Sequence, residues 1–355
     1  MKKYLLIFMI FVLIPMINVK AISTSATSAI LMDQDSGRIL YSENIHEVRS
    51  IASISKIMTG ILAVESGKLD ETVTVGDEIL KAYGSGIYIK QREKISLRDL
   101  VYGLMLRSGN DAAVTIATYV SGSVEEFVKL MNAKATELGM KHTTFNNPSG
   151  LDEEEGNYSC AYDMAILTSY AMKNKDYRTI TGTKKHMVKT NKNTYVWHNK
   201  HKLLTQYKYA TGGKTGFTKK ARRTLVTTAT NHDMNLVVVT LNDGDDFNDH
   251  MNLFEYGFQN YENQTLLKKG NLSIKNEKYY KNQQLYIKND VIYPVEKEEE
   301  DSLKIKYSLS KKRGNEEVVG QVKVYLGSEE VIREPIYVKE KEKKSSEKKG
   351  WFHLW

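Results

Sequence analysis

Two residue types with catalytic potential lie three positions apart in the segment ASISKIMTG, where Ser53 is followed by Lys56. Side chains at positions i and i+3 share one face of a helix, so the lysine amine can reach the serine hydroxyl. An ordinary lysine is protonated at neutral pH, but burial near another cation lowers its pKa and favours the neutral amine. The pair therefore predicts a serine nucleophile with a lysine base, provided that the fold buries the lysine.

The Ser-x-x-Lys pattern has little meaning by itself, because it begins at four serines of this chain: Ser53, Ser308, Ser345 and Ser346. The last three lie in a small C-terminal region or in the tail. Only Ser53 begins an amphipathic helix within the larger part of the chain. We therefore take Ser53 as the candidate nucleophile.

Two further short motifs could complete a site around this pair. Ser-x-Asn occurs at Ser42 and again at Ser108 to Asn110, and only the second copy lies in a helix-breaking loop after Ser53. Lys-Thr-Gly occurs once, at Lys214 to Gly216, in a strand-like run directly after two more glycines. Glycine at this position lets an acyl substrate lie close against the edge of a strand.

Other catalytic designs are less well supported by the sequence. Neither a Gly-x-Ser-x-Gly elbow nor a His-Glu-x-x-His zinc motif is present. A Ser-His-Asp triad stays open, because its members are distant along a chain. The single cysteine, Cys160, has no intramolecular disulfide partner, and its place beside a helix start favours a packing role over a nucleophilic one.

The elements that must position these residues follow from the hydrophobic pattern. Two strand-like runs flank Asp35, Ser36 and Gly37 and predict a β-hairpin. Apolar residues at helical spacing then follow Ser53, and Ser96 with Asp99 resembles a capping box at the start of the next helix. Strand-like runs begin near Tyr209, and we expect strands to continue to about Tyr261. This order predicts an antiparallel sheet with segregated helices, an α+β domain.

The remaining parts of the chain divide by composition. Residues 1–21 combine two lysines, an apolar run too short to span a membrane and a small-residue end, and they are interpreted as a secretory signal peptide. Residues 22–262 form the predicted catalytic domain. Residues 263–338 alternate apolar and polar positions and predict a small β-rich domain. The tail, residues 339–355, joins lysines to terminal tryptophans, which favours peripheral contact with lipid headgroups over the alternative of a disordered, solvated tail.

The net charge of +8 is modest for a chain of 355 residues. It favours anionic surfaces such as cell wall or lipid headgroups and does not indicate nucleic-acid binding. Together with the leader, it predicts an exported protein at the outer face of the cytoplasmic membrane or in the cell wall.

Taken together, the three motifs resemble those of the penicillin-recognising serine enzymes. The segments SISKIMT, LRSGNDAA, NPSGL and GGKTGFT are similar to those of the low-molecular-mass penicillin-binding proteins that are D-alanyl-D-alanine carboxypeptidases, peptidase family S11. The resemblance covers about residues 25–340. It implies a β-lactamase/transpeptidase-like domain, with an antiparallel sheet and a helical subdomain, followed by a small β-rich C-terminal domain.

The resemblance also implies a role for each motif residue. Ser53 would attack the carbonyl between the last two D-alanines of a peptidoglycan stem peptide, and Lys56 would take its proton. Ser108 would relay a proton toward the leaving amine, and Asn110 would hold Lys56 and the substrate amide. β-Lactam antibiotics would acylate the same serine, and neither a metal nor a cofactor is implied.

The Lys-Thr-Gly strand would bind the other end of the substrate. By resemblance, Lys214 and Thr215 would bind the terminal carboxylate, with Gly216 beside them. The backbone N–H groups of Ser53 and Phe217 would form the oxyanion hole, in which each donor contributes a few kcal/mol.

The chain departs from the family pattern at two places. Ile51 stands where the family often has proline, and Ala221-Arg222 stands where it often has Ala-Gly, which is expected to alter the rim of the site.

Two alternatives stay open. Glu153 to Asn157 is a literal match to the Glu-x-x-x-Asn pattern of class A β-lactamases, although it lies in an acidic segment that reads as a surface loop. A non-catalytic protein that binds cell wall or β-lactams could keep the same fold, although the intact motifs argue against it.

Overall fold

The computed structural model describes residues 22–152, 155–275, 277–311 and 317–340. The predicted signal peptide and residues 341–355 of the predicted membrane-contacting tail lie outside this part of the chain. The first eleven strands are β1 Ser28–Asp33, β2 Ile39–Glu43, β3 Arg49–Ser50, β4 Thr72–Thr74, β5 Lys94–Ser96, β6 Tyr158–Ser159, β7 Lys185–Lys189, β8 Thr194–His198, β9 Ala210–Thr218, β10 Arg222–Asn231 and β11 Met234–Leu241. The helices are α1 Lys56–Glu65, α2 Leu97–Arg107, α3 Asn110–Ser121, α4 Val124–Glu137, α5 Ala161–Met172, α6 Lys175–Gly182, α7 Leu203–Gln206 and α8 Asp246–Asn260.

The central sheet has five antiparallel strands in the order β2-β1-β11-β10-β9. Nearly all residues of β1 and β11 are buried. Since successive residues of a strand point to opposite sides of a sheet, both faces of these strands are covered. On one face, Ile30 and Val237 pack into the core formed with α1 to α6. On the other face, Leu31 and Val238 pack against α8. Strand β9, which carries Lys214 to Gly216, lies at the edge of the sheet.

The prediction of strands up to about Tyr261 was wrong for Asp246–Asn260, which form α8. Within this helix Leu253, Phe254 and Gly257 are buried against the sheet. Apolar residues separated by three or four positions define one helical face, and this spacing extends back to Phe247. The predicted hairpin β1–β2 and the strands β9, β10 and β11 are confirmed.

The N-terminal capping predicted for α2 is also confirmed. The Ser96 hydroxyl accepts a hydrogen bond from the Asp99 N–H at 3.0 Å, which satisfies one of the free donors at the start of the helix. At the other end of α2, Ser108 adopts a left-handed conformation with φ of 63°, and α3 begins at Asn110. This tight break between two helices fixes the position of the Ser108–Asn110 loop.

The C-terminal part of the chain is rich in strands, as the alternating pattern predicted. Its strands are β12 Glu262–Leu267, β13 Gly270–Asn271, β14 Gln283–Ile287, β15 Val291–Val295, β16 Leu303–Leu309, β17 Val318–Leu326 and β18 Glu329–Glu340. Five of them form a sheet in the order β13-β14-β18-β17-β16, while β12 pairs with β15. Val322, Val324 and Ile336 lie in a separate small core. The α+β fold with a β-rich C-terminal domain is therefore confirmed, while the domain boundaries themselves stay predictions.

Within the described ranges, none of the helices combines the length and the apolar character needed to cross a bilayer.

Candidate active site

Lys56 lies at the centre of the candidate site. Its amine donates to the Ser53 hydroxyl at 3.1 Å and to the Asn110 side-chain oxygen at 2.7 Å. A third bond goes to the backbone carbonyl of Ser149. The lysine side chain is fully buried at the first residue of α1, and Ser53 precedes it in a 3₁₀ helix, Ala52–Ser55. The fold thus meets the condition under which a lysine can act as a base.

The surroundings of Lys56 favour its neutral form. Burial lowers the pKa of the Lys56 amine well below its usual value, and the positive charges of Lys214 and Lys200 lower it further. The buried carboxylate of Asp111 acts in the opposite direction. In the neutral form its two N–H groups serve the Asn110 oxygen and the Ser149 carbonyl, so the bond to Ser53 reverses: the lone pair of the Lys56 nitrogen accepts from the Ser53 hydroxyl and can take its proton.

Asn110 links the lysine to a loop that closes one side of the site. Its side-chain amide donates to the Tyr83 carbonyl at 2.6 Å, and its backbone N–H donates to the Ser85 carbonyl at 2.7 Å. The next residue, Asp111, accepts hydrogen bonds from the backbone N–H groups of residues 87–89. The first residues of α3 therefore fix both the lysine and the loop.

Strand β9 approaches the nucleophile closely at Gly216. A Cβ atom at Gly216 would lie 2.4 Å from the Thr224 hydroxyl and 3.0 Å from the Ser53 nitrogen. Only glycine permits this approach, so the spacing of the Lys-Thr-Gly motif has a steric cause. The Ser53 N–H therefore lies beside the edge strand on which a substrate would lie.

The side chain of Lys214, a residue of this strand, is buried. Its amine donates to the Thr215 carbonyl at 2.7 Å. Burial lowers the pKa of Lys214 to about 7, and the positive charge of Lys200 contributes to the shift. At neutral pH this amine therefore exchanges readily between its charged and neutral forms.

A cavity of about 360 Å³ opens beside Ser53. Five residues predicted from the motifs line it: Ser53, Ser108, Thr215, Gly216 and Phe217. Six further residues that no motif marked complete the lining: Ser85, Lys200, Lys202, Arg223, Asp246 and Phe247. Lys56, Asn110 and Lys214 contribute from buried positions and are absent from this lining. The cavity therefore joins all three motifs at one place.

The rim of the cavity is formed by residues distant in sequence. Arg223 pairs with Asp246 at 2.5 Å, and both Arg223 and Lys202 lie over the ring of Phe247. Asp246 and Phe247 are the first residues of α8. No local pattern could have predicted this group, because its members meet only when α8 packs beside β10.

The turn at residues 146–151 supplies the Ser149 carbonyl that contacts Lys56. The Asn147 side chain accepts hydrogen bonds from the N–H groups of Ser149 and Gly150 and shapes this turn. Gly150 has φ of +83°, and a Cβ there would lie 2.0 Å from the Ala52 carbonyl oxygen. The residues Asn-Pro-Ser-Gly are typical of a turn, but nothing in them indicates the contact with the lysine.

Two residues near the motifs have structural contacts. The Ser55 hydroxyl is buried and donates to the Ala52 carbonyl at 2.7 Å, so it points away from Lys56. Cys160 accepts from the Asp163 N–H at the start of α5, and burial raises the pKa of its thiol to about 12. Such a thiol is a poor nucleophile, in agreement with the packing role that the sequence favoured.

Asn157, the last residue of the Glu-x-x-x-Asn pattern, makes hydrogen bonds that hold a turn. The Asn157 side chain accepts from the N–H groups of Asn146 and Asn147 and donates to the Asn147 carbonyl. Glu153 lies outside the described residues. The amide of Asn157 thus holds the same turn that presents Ser149 to the lysine.

Comparison with known proteins decides the family. A family model described as D-alanyl-D-alanine carboxypeptidase, Peptidase_S11, matches residues 16–245. The chain belongs to this peptidase family. A second model, for the C-terminal domain of penicillin-binding protein 5, matches residues 261–344. The resemblance identified from the motifs is therefore confirmed.

Curated relatives of this S11 chain are named as D-alanyl-D-alanine carboxypeptidases. DacF of Bacillus subtilis (strain 168) is 35% identical over 70% of this chain and 66% of its own length. DacC of Escherichia coli (strain K12) is 34% identical over 71% of this chain and 66% of its own length. The aligned region thus spans slightly less than two thirds of each of these relatives.

Two solved structures match the S11 chain over different shares of its length. Penicillin-binding protein 5 from Haemophilus influenzae matches with a TM-score of 0.74 and 27% identity, over 90% of this chain and 97% of that chain. The D-alanyl-D-alanine carboxypeptidase from Mycobacterium tuberculosis H37Rv matches with a TM-score of 0.64 and 31% identity, over 67% of this chain and 92% of that chain.

Proposed function

We propose that the protein is a serine-type D-alanyl-D-alanine carboxypeptidase that removes the terminal D-alanine from peptidoglycan stem pentapeptides. The observation that carries the proposal is the buried Lys56 amine, which is held between the Ser53 hydroxyl and the Asn110 side chain. The family match and the names of the curated relatives support the same activity.

Acylation begins at Ser53. Its hydroxyl oxygen attacks the carbonyl carbon between the two D-alanines, while the hydroxyl proton moves to the neutral amine of Lys56. The tetrahedral intermediate then expels the nitrogen of the last D-alanine, which takes the proton held by Lys56 through the Ser108 hydroxyl, so that the Lys56 amine is neutral again. An ester between Ser53 and the shortened peptide remains, and one D-alanine leaves.

Deacylation restores the enzyme. Water attacks the ester carbonyl, a proton passes to the Lys56 amine, and the Ser53 oxygen recovers a proton as the carboxylate product departs. Asn110 keeps the lysine amine in place through both steps, since it is anchored in turn to the Tyr83 carbonyl.

Strand β9 orients the substrate in this mechanism. The backbone N–H groups of Ser53 and Phe217 stabilise the developing oxyanion, and a single donor of this kind contributes about 3–4 kcal/mol. Lys214 and Thr215 attract the terminal carboxylate, and Gly216 lets the peptide lie close to the strand. The cavity lining contains Ser53, Thr215, Gly216 and Phe217, which supports this arrangement.

The wider context of the activity is also a proposal. The protein is exported by the leader at residues 1–21, and residues 22–262 act on the cell wall. Residues 263–338 form a separate β-rich unit, and the tail at residues 339–355 makes peripheral membrane contact. Peptidoglycan stem peptides ending in D-alanyl-D-alanine are the substrate, and β-lactams are covalent inhibitors.

Reaction with penicillin tests the proposal against a β-lactamase. The purified protein is expected to form a long-lived penicilloyl adduct that peptide mass spectrometry maps to Ser53. The Ser53→Ala variant should form none. Rapid turnover of penicillin with free enzyme regenerated would favour the β-lactamase alternative instead. An adduct without any release of D-alanine from a stem-peptide analogue would favour a non-catalytic binding protein.

A further inference from the structure

The charges of this chain are distributed very unevenly. From Tyr177 to His232 the sequence contains thirteen lysines and arginines and no aspartate or glutamate. The remainder of the chain holds 38 of the 51 basic residues and all 43 acidic residues. A modest overall charge therefore hides one strongly basic segment in an otherwise acidic chain. We call Tyr177–His232 the acid-free segment.

The cations of the acid-free segment are on the surface. All of them except Lys214 are exposed. Within the part of the chain that the structure describes, Arg223 is the one member that forms an ion pair. Surface lysines are usually interspersed with carboxylates, so a set without such partners creates a positive potential over its surroundings.

Part of this positive surface lies at the candidate active site. Lys200, Lys202 and Arg223 line the cavity beside Ser53. At one end of β9, the exposed residues Lys219, Lys220 and Arg222 follow directly after the strand that carries Phe217. The hairpin β7–β8 and the residue before it expose four lysines, Lys184, Lys185, Lys189 and Lys192, and the next residues of the chain lead to Lys200.

The potential is strong enough to act on the site itself. The charge of Lys200 contributes to lowering the pKa of both Lys56 and Lys214. Other cations of the segment are exposed outside the cavity lining, on the β7–β8 hairpin and after β9. A ligand that uses the whole surface must therefore carry several negative charges along its length.

We propose that the acid-free segment binds the carboxylate-rich peptidoglycan polymer that surrounds the stem peptide being cut. Neighbouring stem peptides of a polymer present carboxylates at repeated intervals, which complements lysines in the cavity lining, after β9 and on the β7–β8 hairpin. The proposal rests on the proposed function and deepens it, because it makes the polymer, rather than an isolated peptide, the preferred substrate. Attraction of this kind raises the rate of encounter and weakens as salt increases.

Binding to insoluble peptidoglycan tests the surface directly. The test variant carries Lys184→Gln, Lys185→Gln, Lys189→Gln and Lys219→Gln, at exposed lysines without side-chain partners among the described residues. The matched control carries the same number of changes at exposed lysines of the C-terminal region: Lys268→Gln, Lys269→Gln, Lys275→Gln and Lys304→Gln. Both sets are built on Ser53→Ala, so that no covalent complex forms.

Co-sedimentation at low and high salt is the measurement. The peptidoglycan is first freed of phosphodiester polymers, so that carboxylates are its main negative charges. We expect the parent to bind in a salt-sensitive manner, the test variant to bind roughly tenfold more weakly, and the control to bind like the parent. Equal binding by test variant and control would overturn the proposal, and so would binding that requires the phosphodiester polymers.

Activity provides a second readout that separates this proposal from the proposed function. With Ser53 intact, the test variant should release D-alanine from a soluble diacyl tripeptide as fast as the parent. From polymeric peptidoglycan, its release should be roughly tenfold slower at low salt. Equal slowing on both substrates would contradict a polymer-binding role. Failure of the parent itself to release D-alanine would contradict the proposed function and leave the sedimentation result to decide the binding.

Discussion

At the scale of single residues, two lysines of one site are both shifted away from their usual protonation. Lys56 is buried next to a hydroxyl that it can deprotonate, and Lys214 is buried where a carboxylate is expected to bind. Burial lowers the pKa of both, and Lys200 contributes to each shift. The account requires opposite charge states, a neutral Lys56 and a charged Lys214.

We therefore predict that kcat/KM falls on the alkaline side of its pH profile. The pKa of Lys214 is about 7 in the free enzyme, so its positive charge is lost as the pH rises through that value. Steady-state kinetics on a diacyl-L-Lys-D-Ala-D-Ala peptide should show kcat/KM falling above about pH 7. An analogue with an amidated C-terminus should lack this decrease. A profile that stays level to pH 9 would contradict the role of Lys214.

Much of the residue-level geometry could be predicted from the sequence. Ser53, Lys56 and Asn110 were chosen from short motifs, and the structure brings them into direct contact. Lys200 and the Ser149 carbonyl could not be predicted, because they reach the site only through tertiary packing. Every residue has a backbone carbonyl, so the sequence does not indicate which carbonyl will contact a given side chain. Such contacts follow only from the path of the chain.

At the scale of elements, the site depends on close approaches between backbones. The turn at residues 146–151 and strand β9 both closely approach the 3₁₀ helix that carries Ser53. Glycine permits both contacts. These elements position the nucleophile more rigidly than side-chain packing alone could.

Replacement of Gly150 should therefore damage both stability and reaction. Gly150→Ala combines a left-handed φ with a Cβ placed 2.0 Å from the Ala52 oxygen, and we expect a loss of about 2–4 kcal/mol in unfolding free energy. Acylation by penicillin should also slow, because the nucleophile must move. Denaturant unfolding and acylation rates measure the two effects.

Gly37→Ala is the matched control for this replacement. Gly37 has φ of +75°, but nothing lies within 4 Å of a Cβ built there. It should cost only about 1–2 kcal/mol of backbone strain and leave acylation unchanged. If both variants behaved alike, the contact with Ala52 would have no special importance.

Some strands and helices were predicted correctly, whereas one helix was missed. Strands β9 to β11 and the capped start of α2 followed from alternation and from Ser96 with Asp99. Helix α8 was missed although Phe254 and Gly257 lie on its buried face. Its first turn carries several acidic and polar residues, which hid the helical spacing at the point where the site residues Asp246 and Phe247 lie.

At the scale of the whole molecule, one arginine connects the sheet hairpin to the C-terminal strands. Arg38 pairs with Glu299 at 2.6 Å and donates to the Pro294 carbonyl at 2.5 Å. Its guanidinium also lies over the rings of Tyr261 and Tyr293. The side chain is largely buried, so these bonds are shielded from solvent.

Removal of this connection should weaken the molecule measurably. Arg38→Ala is expected to lower the unfolding free energy by about 2–3 kcal/mol, because Glu299 and the Pro294 carbonyl lose a charged donor. Arg333→Ala, which breaks an exposed pair with Glu330, should cost less than about 1 kcal/mol. Chemical denaturation measures the unfolding free energy of both variants. Equal losses would contradict a special contribution of Arg38 to stability.

The molecular scale was where the sequence composition misled most. A net charge of +8 indicated only a modest basic excess, whereas the basic residues concentrate in the acid-free segment around the cavity. Two architectural units, by contrast, could be predicted from the change in periodicity after residue 262. A net charge summed over the whole chain does not show that one segment is strongly basic.

Release of D-alanine is the decisive measurement for the proposed activity. The protein and its Ser53→Ala variant are each incubated with diacyl-L-Lys-D-Ala-D-Ala, and free D-alanine is measured enzymatically. We expect steady release by the protein and none above background by the variant, with both equally folded by circular dichroism. Equal release by the two proteins, or no release by the unmutated one, would contradict the proposed activity.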